Sequence, residues 1–329
     1  MEPVIKKIEP SAALPGGEVF LEGEHFMVDG SRPTVSIDNL AGHFVVCAGQ
    51  YGVVVVPPNA SHGEVKLVRG SSESKPVRLR VASLLAGNLH SVSNPAVDEE
   101  GNIYATFSGS RGQKVPTSVF KITPDGVIPY LSELMNATGM AFNSRGELFV
   151  SSRFDGTVYK VRSRSQMEVY AKGMGVATGL VFDREDNLFV GDRSGTIFKI
   201  DPERRTFVFA TLEPSVSAYH LALDARGFLY VTGPTIGCLD SVYRISHQGD
   251  VEKYYLRLGR PQGMVIDRRG NLLVAASLAG RKGVVQIRSD RTASPVVAGT
   301  GIVGLALDPS REEDLILATA DSIYRLKLD

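Results

Sequence analysis

RPQGMVIDRRGNLLVA, residues 260–275, reads as a strand, a tight turn and a second strand. Met264 and Ile266 before the turn, and Leu272 and Val274 after it, recur at the period of two expected of a strand. Asp267 and Gly270 supply turn chemistry: a carboxylate that can cap backbone N–H groups, and a residue free to take positive φ. The phrase is not unique. SVSNPAVDEEGNIYATF (91–107), ATGMAFNSRGELFVSS (137–152), ATGLVFDREDNLFVGD (177–192), AYHLALDARGFLYVTG (218–233) and IVGLALDPSREEDLILAT (302–319) share it. Their turns begin at Asp98, Asn143, Asp183, Asp224, Asp267 and Asp308, so the unit recurs every 40 to 45 residues.

Each hairpin is followed by a third strand, such as GTVYKV (156–161) or GTIFKI (195–200), and a fourth, such as MEVYA (167–171). Four short antiparallel strands repeated at this period specify the blades of a β-propeller. The last copy ends after its third strand, SIYRLKL (322–328), which leaves an unpaired edge. The segment before the first copy aligns with the end of a blade, so residues 81–86 are expected to supply the missing outer strand and close the ring. Residues 1–80 lie outside the repeat and contain about seven short strands, which suggests a small sandwich. The expected fold is therefore all-β: a sandwich over 1–80 and a six-bladed propeller over 81–329.

Composition narrows the function. Lys plus Arg and Asp plus Glu are both 36 in 329 residues, and no loop interleaves basic with aromatic residues, so a nucleic-acid partner is not expected. No apolar run approaches the roughly 20 residues of a membrane span, and a membrane partner is not expected either. The start, MEPVIKKIEPSA, lacks the apolar core of a signal peptide, which gives a cytoplasmic expectation, with secretion behind a removed signal peptide as the alternative. Cys47 and Cys238 have neither disulfide-framework nor zinc spacing.

Ile8, Pro10, Pro15, Gly16, Gly17, Gly23 and Phe26 resemble the IPT/TIG family of immunoglobulin-like domains, which implies a binding or spacer module. VGDRSGTIFKID (190–201) resembles an NHL repeat. SNPAVDEEGNIY (93–104) and the 260–275 phrase resemble the senescence-marker-protein/gluconolactonase family. That resemblance implies a divalent cation at the mouth of the central channel, held by a Glu, Asn and Asp residues, each just before the first glycine of its blade. The matching column here is Ser93, Thr138, Thr178, Tyr219, Gln262 and Val303. Ser93 stands where the family has its Glu and Gln262 where it has its Asp, while Thr178 and Tyr219 fall at its Asn ligands. Hard cations want several oxygen ligands and carboxylate charge. No metal or other cofactor is therefore expected, with weak Ca²⁺ as the alternative.

The long loops 108–118, 233–241 and 277–283 are expected on the same face as this column, where function on a regular scaffold concentrates. That face carries Arg111, Lys114, Arg153, Arg193, Arg260, Arg281 and Lys282 against Asp155, Asp192 and Asp240. Two readings follow. In the first, the chain binds a protein partner or a small anionic ligand through Arg153, Arg193, Arg281 and the column, with Tyr219 as an aromatic anchor. In the alternative, it is a divergent gluconolactonase-like hydrolase of lactones or esters, with His220 or His90 as general base. The sequence leans away from an enzyme without deciding the matter.

Overall fold

The computed structural model describes residues 1–311 and 314–328. Among these the regular secondary structure is entirely β. From residue 83 onward the chain forms six four-stranded antiparallel units, each running from an inner to an outer strand. Blade 1 comprises Ala96–Val97, Ile103–Thr106, Val119–Thr123 and Gly126–Leu131. Blade 2 comprises Ala137–Phe142, Leu148–Ser152, Thr157–Ser163 and Gln166–Ala171. Blades 3, 4 and 5 begin at Ala177–Phe182, His220–Leu223 and Met264–Ile266. Blade 6 takes its first three strands from Ile302–Leu307, Asp314–Thr319 and Ile323–Lys327 and its fourth from Ser83–Ala86. Ser83 pairs with Arg325 and Leu84 with Tyr324, so a strand from before the repeat seals the ring as its sequence alignment required.

The recurring turn has one mechanism. The side chain that opens it accepts a hydrogen bond from the backbone N–H four residues on: Asn102 to Asp98 at 2.8 Å, Asn187 to Asp183 at 2.8 Å, Phe228 to Asp224 at 2.9 Å and Asn271 to Asp267 at 2.8 Å. In blade 2, Asn143 does the same for Glu147 at 2.9 Å. This is local side-chain-to-backbone capping and explains why an Asp or Asn opens each of these turns at a fixed position.

The first 81 residues make two facing sheets. One contains Val4–Glu9, Glu18–Glu24, Tyr51–Val55 and His43–Cys47; the other contains Thr34–Ile37, Gly63–Arg69 and Val77–Val81. Val19, Leu21, Phe26, Ile37, Val54, Leu67 and Leu79 fill the space between them. The Gly-x-x-Phe spacing has a packing cause: a Cβ on Gly23 would lie 1.9 Å from the Val4 carbonyl oxygen and 2.7 Å from the Phe26 ring.

The two parts are joined by more than a tether. Ala12–Ala13 lies parallel to Arg80–Val81 on one side and pairs with Ala298, in the outer strand of blade 5, on the other. Leu14 N–H donates to the Ala298 carbonyl at 2.7 Å. The second sandwich sheet is thereby continuous with blade 5. Ala12, Leu14 and Ala82 belong to the same apolar cluster as Leu273, Val284, Val297, Leu305 and Leu326. Packing therefore crosses the position near residue 80 where the repeat begins.

Candidate ligand-binding face

The column of residues expected at the channel mouth is mostly interior. Ser93, Thr138, Thr178 and Tyr219 are buried. Thr138 Oγ1 donates to the Asn136 carbonyl at 3.0 Å, and Thr178 Oγ1 donates to the Gly191 carbonyl at 2.8 Å. Tyr219 is 1% exposed; its N–H donates to Thr178 Oγ1 at 3.1 Å and its hydroxyl to the Glu213 carbonyl. These groups tie inner strands to neighbouring backbone and do not present a ring of oxygens to solvent. Gln262 differs: it is half-buried and lines a cleft on this face.

One residue further along each inner strand lie Asn94, Gly139, Gly179, His220, Gly263 and Gly304. A Cβ on Gly179 would sit 2.3 Å from the Tyr219 carbonyl oxygen, and one on Gly304 2.3 Å from that of Ser93. Adjacent inner strands thus approach backbone to backbone. His220 occupies this layer 1% exposed, with neither ring nitrogen hydrogen-bonded. Burial alone pushes its pKa down to about 3. A neutral, enclosed imidazole with no path to a substrate is not placed to act as a general base.

What the fold does gather on this face is guanidinium. Arg153 and Arg193 directly follow the second strands of blades 2 and 3, one repeat apart. Burial, followed by the like charges of Arg193 and Arg111, lowers the Arg153 pKa from its usual range. Arg remains protonated at any working pH, so three positive charges adjoin here. Among the described residues no carboxylate pairs with them; their bonds are to carbonyls. Arg153 Nη2 donates to Gly109 O at 3.3 Å, and Arg193 Nη2 to Val216 O at 2.9 Å. Arg153 Nε is buried without a partner.

Asn136, which the sequence did not single out, organises the cluster. It is fully buried at φ 51°, in the left-handed region that Asn tolerates better than most residues. Its Nδ2 donates to Gly109 O at 2.8 Å and Ser110 O at 3.0 Å, and its Oδ1 accepts from Gly112 N–H at 2.8 Å. Its carbonyl accepts from Arg153 N–H at 3.2 Å. One residue thus fixes both the loop bearing Arg111, through its side-chain amide, and the start of the turn bearing Arg153, through its backbone carbonyl. Exposed apolar tips flank the charges: Phe154, Val216, Leu239 and Ile236, the last 93% exposed. Val216 N–H donates to Pro234 O at 2.8 Å, which joins the Arg193 loop to the Ile236 loop.

Arg281 does not join this group. Its guanidinium lies 3.8 Å from the centroid of the Phe20 ring and 3.7 Å from Glu9 Oε2, both in the first 81 residues. The docking of the sandwich, which no repeat pattern encodes, takes it. His90 is exposed, and its Nδ1 hydrogen-bonds to Ser108 O, which leaves Nε2 as the acceptor of the ring.

Neither a protein-family model nor a curated protein matches the chain. Solved structures match its fold. An auxiliary nutrient binding protein from Bacteroides thetaiotaomicron VPI-5482 aligns over 100% of this chain and 98% of its own, with TM-score 0.56 and 12% identity. A gluconolactonase-like protein aligns over 75% of this chain and 91% of its own, with TM-score 0.61 and 15% identity. A catalytically inactive variant of virginiamycin B lyase from Staphylococcus aureus, with quinupristin, aligns over 95% and 100%, with TM-score 0.56 and 12% identity. At these identities the likeness is one of fold: an all-β propeller.

Proposed function

We propose that this chain is a binding protein that captures an anionic group, on a small molecule or on a protein partner, at the stripe formed by Arg111, Arg153 and Arg193. In this reading residues 1–80 are an IPT/TIG-like immunoglobulin module, and residues 81–329 are a six-bladed relative of the NHL and gluconolactonase-like propellers. The observation that carries the proposal is the adjacency of three guanidiniums that, among the described residues, no carboxylate pairs with. Several other arginines of this charge-neutral chain are neutralised, as Arg205 is by Asp201 and Arg226 by Asp224. Like charges left together repel, and an incoming anion relieves that repulsion. The exposed Phe154, Val216, Ile236 and Leu239 favour a partner whose acidic groups adjoin apolar ones. A nutrient binding protein among the fold neighbours that span the whole chain is consistent with a binding role.

The hydrolase reading keeps one observation in its favour. His90 has its Nδ1 proton directed at a carbonyl and its Nε2 free, and it adjoins the loop whose Gly109 carbonyl receives Arg153. Calorimetry with citrate, inorganic phosphate and a peptide alternating Glu and Leu separates the two readings. At least one probe should bind, more weakly at about 0.5 M salt because exposed charges are screened. Arg153→Glu and Arg193→Glu should each weaken it about tenfold or more, as expected for loss of a charge-assisted contact. Affinity insensitive to both reversals defeats the binding proposal. Turnover of lactones, phosphate esters or aryl esters that disappears in His90→Ala would install the hydrolase in its place.

A further inference from the structure

Across the ring from the arginine stripe, between blades 5 and 6, lies a cleft of about 360 Å³. Its polar lining is Arg260, Gln262, Ser277 and Lys282; Ala275, Ala276 and Ile302 supply an apolar floor, and four glycines the remaining wall. The volume sits at the small end of ligand pockets, about 300–1,000 Å³, and suits a single ring or a short chain. Both backbone groups of Gln262 are committed, its N–H to Ala275 O at 2.8 Å and its carbonyl to Thr232 Oγ1 at 2.6 Å. Only the carboxamide is left to meet a ligand. No carboxylate lines the cleft, and among the described residues neither Arg260 nor Lys282 has an ion-pair partner.

Two features show that the cleft is built. Arg260 has φ 47°, a left-handed conformation that side-chain-bearing residues avoid and that a following proline, Pro261, disfavours further. It is pinned there by two hydrogen bonds between Gly259 and Ser277, 2.8 Å and 2.9 Å. Residues held in such sparsely populated conformations cluster at ligand clamps, and this one carries a guanidinium that lines the cleft. The second feature is a brace. Lys282 follows Arg281, whose guanidinium is fixed on Phe20 and Glu9, and the Lys282 carbonyl accepts from Gly299 N–H at 3.1 Å. Leu14 closes on Gly299, where a Cβ would come 2.9 Å from Leu14 Cδ1.

We infer that this cleft is a second site, selective for a small hydroxylated carboxylate, and that the N-terminal sandwich braces its wall. The planar fork of Arg260 matches a carboxylate and Lys282 adds a point charge. Gln262 and Ser277 offer both donors and acceptors to hydroxyls. The inference uses none of the residues of the arginine stripe, so either site can fail without the other.

The test is calorimetry on the full chain with glycerate, tartrate and citrate, with glycerol phosphate and inorganic phosphate as the competing oxyanions. At least one hydroxy acid should bind more tightly than inorganic phosphate. Arg260→Gln and Lys282→Gln should each weaken it about tenfold. Gln262→Glu, which keeps the side-chain size and adds a repelling charge, should abolish it, and Arg153→Glu should leave it unchanged. Phe20→Leu should weaken it several-fold by freeing the Arg281–Lys282 wall. No binding by about 10 mM, weaker than useful small-ligand affinities, overturns the site. Phosphate binding as tightly as the hydroxy acids in the Arg153→Glu protein, where the arginine stripe is disabled, overturns the carboxylate assignment. A Phe20→Leu protein that melts earlier but binds equally well overturns the brace.

Discussion

Blades 1 and 4 face each other across the ring, and each carries a side chain where the other four blades have glycine. The outcomes are opposite. Asn94 in blade 1 accepts from Leu305 N–H at 3.0 Å and donates to the Met264 carbonyl at 3.1 Å, so one carboxamide stitches blades 1, 5 and 6. His220 in blade 4 is enclosed with both nitrogens unpartnered. The same slot rewards a side chain whose donor and acceptor match the neighbouring backbone, and holds the imidazole only as a neutral filler of volume.

The largest effect should come from undoing the satisfied side. Asn94→Ala removes both bonds and leaves the Leu305 N–H, in a fully buried residue, without a replacement from water. An unsatisfied buried donor plus two lost bonds costs about 3 kcal/mol. Chemical denaturation at neutral pH measures it. A loss under about 1 kcal/mol would mean that the inner strands hold their places without the stitch.

Asn94 also shows where sequence reading reaches its limit. Alignment on the Asp or Asn of each turn puts Ser93 in the column before the first glycine, and nothing in the repeat marks the residue after it. The repeat, the closure by Ser83–Ala86 and the capping of each turn were legible because they depend on contacts local in sequence or related by the period. Arg153 and Arg193 were legible for the same reason: they are one repeat apart and fall side by side. The non-repeating parts were legible only as loops on one face, not in the contacts that place their side chains. Arg111 reaches the cluster only because Asn136 ties down an irregular loop, and Arg281 leaves it because Phe20 and Glu9 arrive from another sheet. Contacts between a repeat and a segment outside it leave no period to read. Burial of the column was hidden too, since a Ser or Thr looks the same whether it faces a channel or a neighbouring carbonyl.

The unsatisfied side should appear as pH dependence. His220 has a folded pKa pushed down to about 3, against an ordinary value of 6.5. Below 6.5 the unfolded chain binds the proton and the folded chain does not, so stability is complete above that pH and falls as the pH drops toward 3. At about pH 5 the deficit is some 1.5 pKa units, or about 2 kcal/mol. Urea melts of wild type and His220→Leu at pH 7.5 and 5.0 isolate this contribution from other titrating groups. The variant should lose about 2 kcal/mol less on acidification than the wild type and be near neutral at pH 7.5, because an apolar side chain of similar size suits a site with no polar partners. Equal losses in both proteins would show that His220 finds a hydrogen-bond partner, and the contrast with Asn94 would collapse.

The smallest effect belongs to Tyr219, immediately before His220 and the residue that sequence reading offered as an anchor for ligand. Its ring fills the cluster with Leu221, Leu229, Val231 and Tyr243, and its one polar atom is spent on the Glu213 carbonyl. Removing that atom alone, in Tyr219→Phe, keeps the packing and forfeits one neutral hydrogen bond, about 1 kcal/mol. Because the ring is enclosed, affinity at the arginine stripe and in the blade 5–6 cleft should be unchanged, whereas an anchor would lose binding with little change in stability. Paired measurement of melting temperature and probe affinity in this variant therefore tells whether the blade 4 end of the inner layer is structure throughout, or whether ligand reaches past the loops to the residue that His220 follows.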